Sequence, residues 1–275
     1  MRQRHVNIAD VDPAQLLAGD APADPVLLSS ENHRTRVGAQ RRERTRLLLL
    51  KSALQVLSKK GPDATVIDDV IAVAGLSRGT FYNHFRTAND LLLALANAMS
   101  DEVLAVLKPV VLAFDDPVHR FSIGTRLYMR VAVQYPAWGR FITNVGANIV
   151  MRGQHFDENV TRDLTLAFER KRIITPNLLV ARTIVMGSII YGIETMLSEP
   201  SQEEFSENIV ATFLRGMGMP AGEADQIAYM QLPNIGPITG SIFSTLPKPR
   251  STTVAIKQVH AAKPRRSGTR AAKGT

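Results

Sequence analysis

Residues 74–85 read AGLSRGTFYNHF, and this stretch leaves the chain little choice of local fold. Gly75 permits a tight turn, Ala74 lets two helices approach, and Ser77 has the chemistry of an N-cap. Phe81 and Phe85 stand four residues apart, so they share one face of the helix that Ser77 opens. Upstream, TVIDDVIAVAG puts Ile67, Val70, Ile71 and Ala74 on one side, with Thr65 and Asp68 in capping-box spacing. Two short helices joined by AGLS, the second opening with small and polar residues, form the pattern of a helix-turn-helix.

The same punctuation continues on both sides. From Ala39 to Lys60, AQRRERTRLLLLKSALQVLSKK sets Leu47, Leu50, Leu54 and Leu57 at helical spacing behind a basic entry, and Gly61-Pro62 stops it. Thr87 and Asp90 repeat the capping spacing ahead of ANDLLLALANAMSDEVLAVL. From Pro109 to about Gly218 nearly every window reads as helix, broken at Asp116-Pro117, Pro136, Gly153, Pro176 and Pro200, with no alternating strand pattern. The expectation is an all-α chain, with a helix-turn-helix domain over 39–87 and a helical body over 88–228. Residues 1–38 lack sustained periodicity and hold Pro13, Pro22 and Pro25, so they read as a flexible arm. Residues 229–275, dense in Pro, Gly, Ser and Thr after Pro233, read as a mostly disordered basic tail.

Composition excludes several classes. The chain has no cysteine, which removes disulfides, thiolate catalysis and Cys-based metal sites. The opening residues contain no apolar run of signal-peptide length, and a cytoplasmic location is expected. The most apolar stretch, from Leu178, carries Arg182 and Glu194 and leaves eleven uncharged residues between them, short of the roughly twenty a membrane span needs. The net charge of +8 belongs to the tail: Lys248, Arg250, Lys257, Lys263, Arg265, Arg266, Arg270 and Lys273 account for all of it. The pI therefore says nothing about the folded part. Adjacent Asp68-Asp69 and Asp115-Asp116 sit at helix starts, where acids favour the dipole, and the histidines are scattered. No enzyme constellation, metal site or cofactor is expected.

Outward from the second helix of the motif point Arg78, Thr80, Tyr82, Asn83 and His84. In a major groove these are useful types: Arg grips guanine, Thr touches a thymine methyl, Asn pairs with adenine, and Tyr or His reaches phosphate. Gly79 lets a phosphate approach the backbone. Taken together, ALQVLSKKG, AGLSRGTFYNHF and TANDLL over about fifty residues resemble the DNA-binding domain of the TetR/AcrR family, the tetracycline-repressor-like transcriptional regulators. The resemblance implies three helices that bind DNA, a connecting fourth helix and a helical ligand-binding body that dimerises. It maps DNA contact onto Arg78, Gly79, Thr80, Tyr82, Asn83 and His84, with Tyr82 and His84 as phosphate anchors and Thr65 as a further candidate. Where family members often begin the second helix with a hydroxyl or basic residue, this chain has Val66, Ile67 and Asp68.

In the body, Phe121, Tyr128, Met129, Tyr135, Trp138, Phe141, Met151, Phe168 and Met186 supply apolar bulk for an effector pocket. Tyr128, Trp138, Phe141, Met151, Phe168 and Met186 are its candidate lining, although aromatic and Met residues at helical spacing are more often plain core. Between Asn177 and Ser198 a stripe of small residues, Ala181, Val185, Ser188, Gly192 and Thr195, lies opposite a bulky one. The next helix carries Phe205, Ile209 and Phe213 at matching spacing. By resemblance both helices belong to a dimer-forming four-helix bundle, with Ala181, Val185, Ser188, Gly192, Phe205, Ile209 and Phe213 at the interface. The chain thus reads as a homodimeric regulator binding an inverted-repeat operator in double-stranded DNA, repressing until a small, mostly apolar effector binds. The alternative is a helical ligand- or protein-binding dimer whose DNA contact is nonspecific and carried by the tail.

Overall fold

The computed structural model describes residues 25–60, 67–144, 155–199 and 203–247, and all regular structure among them is helical. Among the described residues ten α-helices follow in order: α1 Pro25–Lys60, α2 Ile67–Ala74, α3 Arg78–Tyr82, α4 Ala88–Val111 and α5 Pro117–Gln134, then α6 Pro136–Asn144, α7 His155–Glu169, α8 Leu178–Ser198, α9 Phe205–Gly216 and α10 Ala221–Ala228. A single 3-10 turn, Phe243–Thr245, lies in the extended segment that follows.

Local chemistry explains the breaks. Gly75 has φ of +64°, a conformation costly for any residue with a side chain, and it lets α2 end and α3 begin at once. Ser77 caps α3 by accepting from the Thr80 amide. Thr87 and Asp90 form the expected reciprocal capping box at the start of α4. Asp116 caps α5, with Pro117 in the first turn.

The small domain packs α1, α2 and α3 around Leu49, Leu50, Ala53, Val70, Phe81 and Leu91, all essentially sealed from solvent. Helix α4 begins in this core and continues into the body, where α5 is the central helix, in contact with α4, α6, α7, α8, α9 and α10. Being surrounded, α5 buries charge as well as bulk. Arg126, 3% exposed, and Arg130 both donate to Glu207 of α9, at 3.0 and 2.7 Å. The Ser206 hydroxyl donates to the other carboxylate oxygen at 2.8 Å. At the far end Arg172 ties Asp116 to Glu223, at 2.9 and 2.6 Å, fastening the start of α5 to α10.

Two boundaries differ from the sequence reading. The segment 25–38, expected to be part of a flexible arm, is the N-terminal part of α1. Extending an existing helix costs far less than nucleating one, and a proline is tolerated in the first turn, so the lack of an apolar stripe did not end the helix. The segment 231–247, expected to be disordered tail, packs on the body and buries Ile238, Ile242 and Phe243. Its apolar residues are irregularly spaced because it is extended, and no helical or alternating pattern marks it. Residues 1–24 and 248–275 lie outside the described residues.

The Glu207 cluster predicts a specific acid response. Burial alone would raise the Glu207 carboxyl, but the Ser206 hydroxyl and the Arg126 and Arg130 guanidiniums outweigh it and hold it below the ordinary 4.5. A depressed folded-state pKa means the group's stabilisation is complete above the unfolded value and is lost as pH falls through the folded one. Glu207→Gln strands Arg126 in the interior and should cost about 3–5 kcal/mol at neutral pH. Urea unfolding at fixed protomer concentration should show that loss, and a smaller further loss between pH 5 and 3 than in the parent.

Candidate DNA-reading surface and effector cavity

The recognition surface is built on a buried aromatic footing. Phe81 is fully buried and Phe85 nearly so, with ring centroids 5.9 Å apart, so α3 cannot roll without opening the small core. That footing leaves Arg78, Gly79, Tyr82 and Asn83 exposed, Tyr82 by 53%, while Thr80 and His84 are half-buried. Thr80 faces back to Ser77, its hydroxyl 2.9 Å from the Ser77 oxygen. A Cβ added at Gly79 would meet nothing closer than the Ser77 hydroxyl at 3.8 Å, so packing within the chain does not require glycine there. Thr65 lies outside the described residues.

The structure adds partners that sequence reasoning missed. Arg78 makes a two-pronged ion pair with Asp68 of α2, at 2.9 and 2.6 Å, which aims its guanidinium. The Asp68 carboxyl is held below the usual range chiefly by that hydrogen bond. Asp68, at a position where family members often carry a hydroxyl or basic residue, therefore orients the Arg78 side chain. On the other flank, burial lowers the His84 pKa first, and the nearby charges of Arg42 and Arg46 of α1 lower it further. The Arg46 guanidinium sits 6.0 Å from the Phe85 ring centre. The basic run ahead of Leu47 was visible in sequence. Its position beside His84 depends on α1 continuing as helix past the small core.

In the body, a cavity of about 50 Å³ lies between α4, α5 and α7. Leu104 and Leu107 of α4, Phe121 and Thr125 of α5, and Phe156 and Val160 of α7 form much of its wall. At one side the Asp163 carboxylate lies between Arg120 and Arg162, at 2.9 and 3.0 Å, and Arg162 also holds the Asn159 side-chain oxygen at 3.0 Å. Thr125 is 2% exposed and its hydroxyl has no hydrogen-bond partner among the described residues. A buried hydroxyl without a partner costs stability, and here it borders empty space.

None of the five described candidate lining residues forms this cavity's wall. Tyr128 stands one ring behind the wall: it stacks on Phe156 at 3.9 Å, hydrogen-bonds Ser100 at 3.1 Å, and burial pushes its hydroxyl up to about 12. Trp138, Phe141 and Met186 are core residues away from the cavity lining, and Phe168 is 42% exposed on the outer face of α7. Met151 lies outside the described residues. Phe121, one of the residues expected to supply the pocket's bulk, does line the cavity, whereas its polar edge of Arg120, Thr125, Asn159, Arg162 and Asp163 was not anticipated from sequence.

The small stripe of α8 also turns inward. Ala181 is fully buried and Val185 nearly so, and a Cβ at Gly192 would come within 2.7 Å of Ile209 and 2.8 Å of Met129. The stripe thus allows α8 to approach α9 and α5 of the same chain. Phe213 is likewise internal, 5.1 Å from the Phe121 ring, while Ser188, Phe205 and Ile209 are half-buried. The face left outward on α8 carries Val180, Ile184 and Tyr191, 50%, 48% and 72% exposed. This explains a helix long and apolar enough by composition to cross a membrane. One side packs in the body, with Arg182 paired to Asp157 of α7, and the other is open.

Comparison with known proteins agrees with this architecture. Residues 49–95 match the family described as bacterial regulatory proteins, tetR family, and residues 116–230 match the tetracyclin repressor-like C-terminal domain. The chain is 32% identical to RolR, solved in complex with the ligand resorcinol, over 72% of this chain and 100% of that one, with a TM-score of 0.61. Against RolR without ligand the identity is 31% over 70% of this chain and 100% of that one, again at 0.61. An uncharacterised HTH-type transcriptional regulator of Bacillus subtilis, YvdT, is 37% identical over 60 residues, which span 22% of this chain and only 31% of that protein. With the exposed α3 surface, the cavity-bearing helical body and both family matches in hand, the chain belongs to the TetR family of bacterial transcriptional regulators, as a DNA-binding regulator with a C-terminal ligand-binding domain.

Proposed function

We propose that this protein is a cytoplasmic, non-catalytic homodimeric repressor whose two α3 helices read an inverted-repeat operator and which a small hydroxylated aromatic effector releases. The observation that carries the reading is the surface of α3, where Arg78, Tyr82 and Asn83 stand out over a rigid Phe81–Phe85 base, flanked by Asp68 and by Arg42 and Arg46. Arg78 suits guanine readout, with Asn83 as a second base-edge group and Tyr82 and His84 as phosphate contacts. Dimerisation uses the outward face of α8, Val180, Ile184 and Tyr191, with Asn208 and Thr212 of α9 alongside. This is one step round α8 from the stripe picked out by residue size.

Resorcinol in RolR, together with a cavity that is apolar but holds an unpartnered hydroxyl, supports an effector that combines a ring with hydroxyl groups. The ring enters among Phe121, Phe156 and Val160, and a hydroxyl meets Thr125. A cavity of about 50 Å³ is well short of the roughly 150 Å³ that accommodates benzene in an engineered core. A ring-sized effector must therefore displace a wall, and one wall is α4, the helix shared with the DNA-binding domain. Coupling of about 1–3 kcal/mol is typical for such a linkage.

Selection of bound duplexes from a random library at about 150 mM salt tests the operator reading, because nonspecific phosphate binding is weakened there. The chain should be cut after Pro247, since residues up to that point are packed. An inverted repeat is expected; enrichment of nothing by a folded dimer sinks the reading in favour of tail-driven binding. On the selected site, Arg78→Ala should cost about 1–3 kcal/mol and relax preference at one base. Gly79→Ala should fold normally yet weaken binding to every sequence alike.

Ile184→Glu should leave the helical spectrum intact and shift sedimentation from dimer to monomer. At the cavity, Gly124→Val tests occupancy, because a Cβ at residue 124 meets Val111 only at ordinary contact distance of 3.7 Å. The variant should keep its fold while calorimetric binding of a dihydroxybenzene, present in the parent, is lost.

A further inference from the structure

The segment after α10 lies beyond the family match, which ends at residue 230, and it crosses back over the body to α4. There the Glu102 carboxylate accepts from the Ile242 amide at 2.9 Å and the Ser241 hydroxyl at 3.2 Å on one oxygen, and from the Phe243 amide at 2.9 Å on the other. Gly240 rides directly on this carboxylate, since a Cβ there would fall 1.9 Å from the Glu102 Cδ. Charge-assisted hydrogen bonds are the stronger class, and two backbone amides and a hydroxyl converge on this one side chain.

Next to this anchor, Phe243, 2% exposed, inserts edge-on against Tyr135 at 5.1 Å and Trp138 at 5.5 Å. Trp138 is in turn edge-on to Tyr128 at 5.1 Å, and Tyr128 stacks on Phe156, a wall of the effector cavity. Beyond Phe243, Thr245, Leu246 and Pro247 line a cleft of about 750 Å³ whose other walls are Leu48 and Lys51 of α1 and Phe141 of α6. The segment therefore touches the aromatic chain that ends at the cavity and the gap between body and DNA-binding domain.

We propose that residues 231–247 form a strap that links the state of the α4/α5/α7 cavity to the position of the DNA-binding domain, with Glu102 as its anchor and Phe243 as its contact to the cavity's aromatic chain. The inference rests on the reading of that cavity as the effector site. Tyr128 and Trp138 are fully buried in a close-packed core, so a shift of Phe156 cannot be absorbed locally and is passed to Phe243. Glu102 makes the strap and α4 move together. The end of the strap then changes the width of the cleft beside α1. Glu102 and Phe243 are positioning residues: neither touches the cavity or DNA.

The test uses the full-length dimer. Glu102→Ala should raise amide exchange in 238–247 at least tenfold, raise it in 47–59 across the cleft, and shift affinity for the selected operator about tenfold. Phe243→Leu, which keeps most of the buried volume, should combine non-additively with the cavity-filling Gly124→Val in operator affinity, by fivefold or more. If exchange in 238–247 does not rise in Glu102→Ala, Glu102 is not the anchor and the proposal falls. If 238–247 opens while 47–59 is unchanged, the segment is only a cover for the core, and the strap is overturned whatever the cavity does. Strict additivity of Phe243→Leu with Gly124→Val overturns the link to the cavity. Failure of the parent to select any operator counts against the proposed function instead, and leaves the exchange result to decide the strap.

Discussion

One helix belongs to two cores, and the rest of the architecture follows from that sharing. Over 24 residues, α4 buries Leu91 and Leu95 beneath the recognition unit and Val103 and Leu107 in the body. A helix of that length spans about 36 Å and is stiff on that scale. The two cores are therefore joined through one continuous helix. The reciprocal cap of Thr87 and Asp90 keeps the near end ordered where it leaves the recognition unit. A frayed end would leave the two cores less firmly joined.

The polar groups of the body serve different ends. Glu207, Arg126 and Arg130 sit at the crossing of α5 and α9 and tie those helices together, the Glu207 carboxylate accepting from both guanidiniums while the buried Arg126 Nη1 has no partner among the described residues. Asp163, Arg120 and Arg162 lie at the rim of empty space instead, beside a threonine hydroxyl with no partner. The Asp163 carboxylate is satisfied by its two arginines, and it is the Thr125 hydroxyl, buried next to a void, that leaves its interaction available to a ligand.

At the recognition surface, Asp68 shows how a departure from a family pattern is accommodated. An acid close to DNA phosphates is unfavourable by charge alone, yet here it pairs with Arg78 through two hydrogen bonds. The pair offsets the charge of the acid and restricts the Arg78 guanidinium. Arg42 and Arg46 extend the positive surface on the opposite flank.

Sequence alone determined the elements whose causes are local. The Gly75 turn, the Ser77 and Thr87 caps, the inward Phe81 and Phe85 and the all-helical body are set by residues within a few positions of one another, and the motif around Ser77 was specific enough to reveal the family. Tertiary structure decided what depends on partners distant in the chain. Periodicity divided α8 into a small face and a bulky face, but only the docking of α9 and α5 against Gly192 showed that the small face turns inward and Val180, Ile184 and Tyr191 outward. The cavity exists because α4, α5 and α7 fail to fill the space between them, and a void has no residue of its own to be read. The segment 231–247 is ordered by Glu102, which is about 140 residues away in sequence and carries no sign of that role. Hydrogen bonds and packing between remote residues set these features, so no local pattern records them.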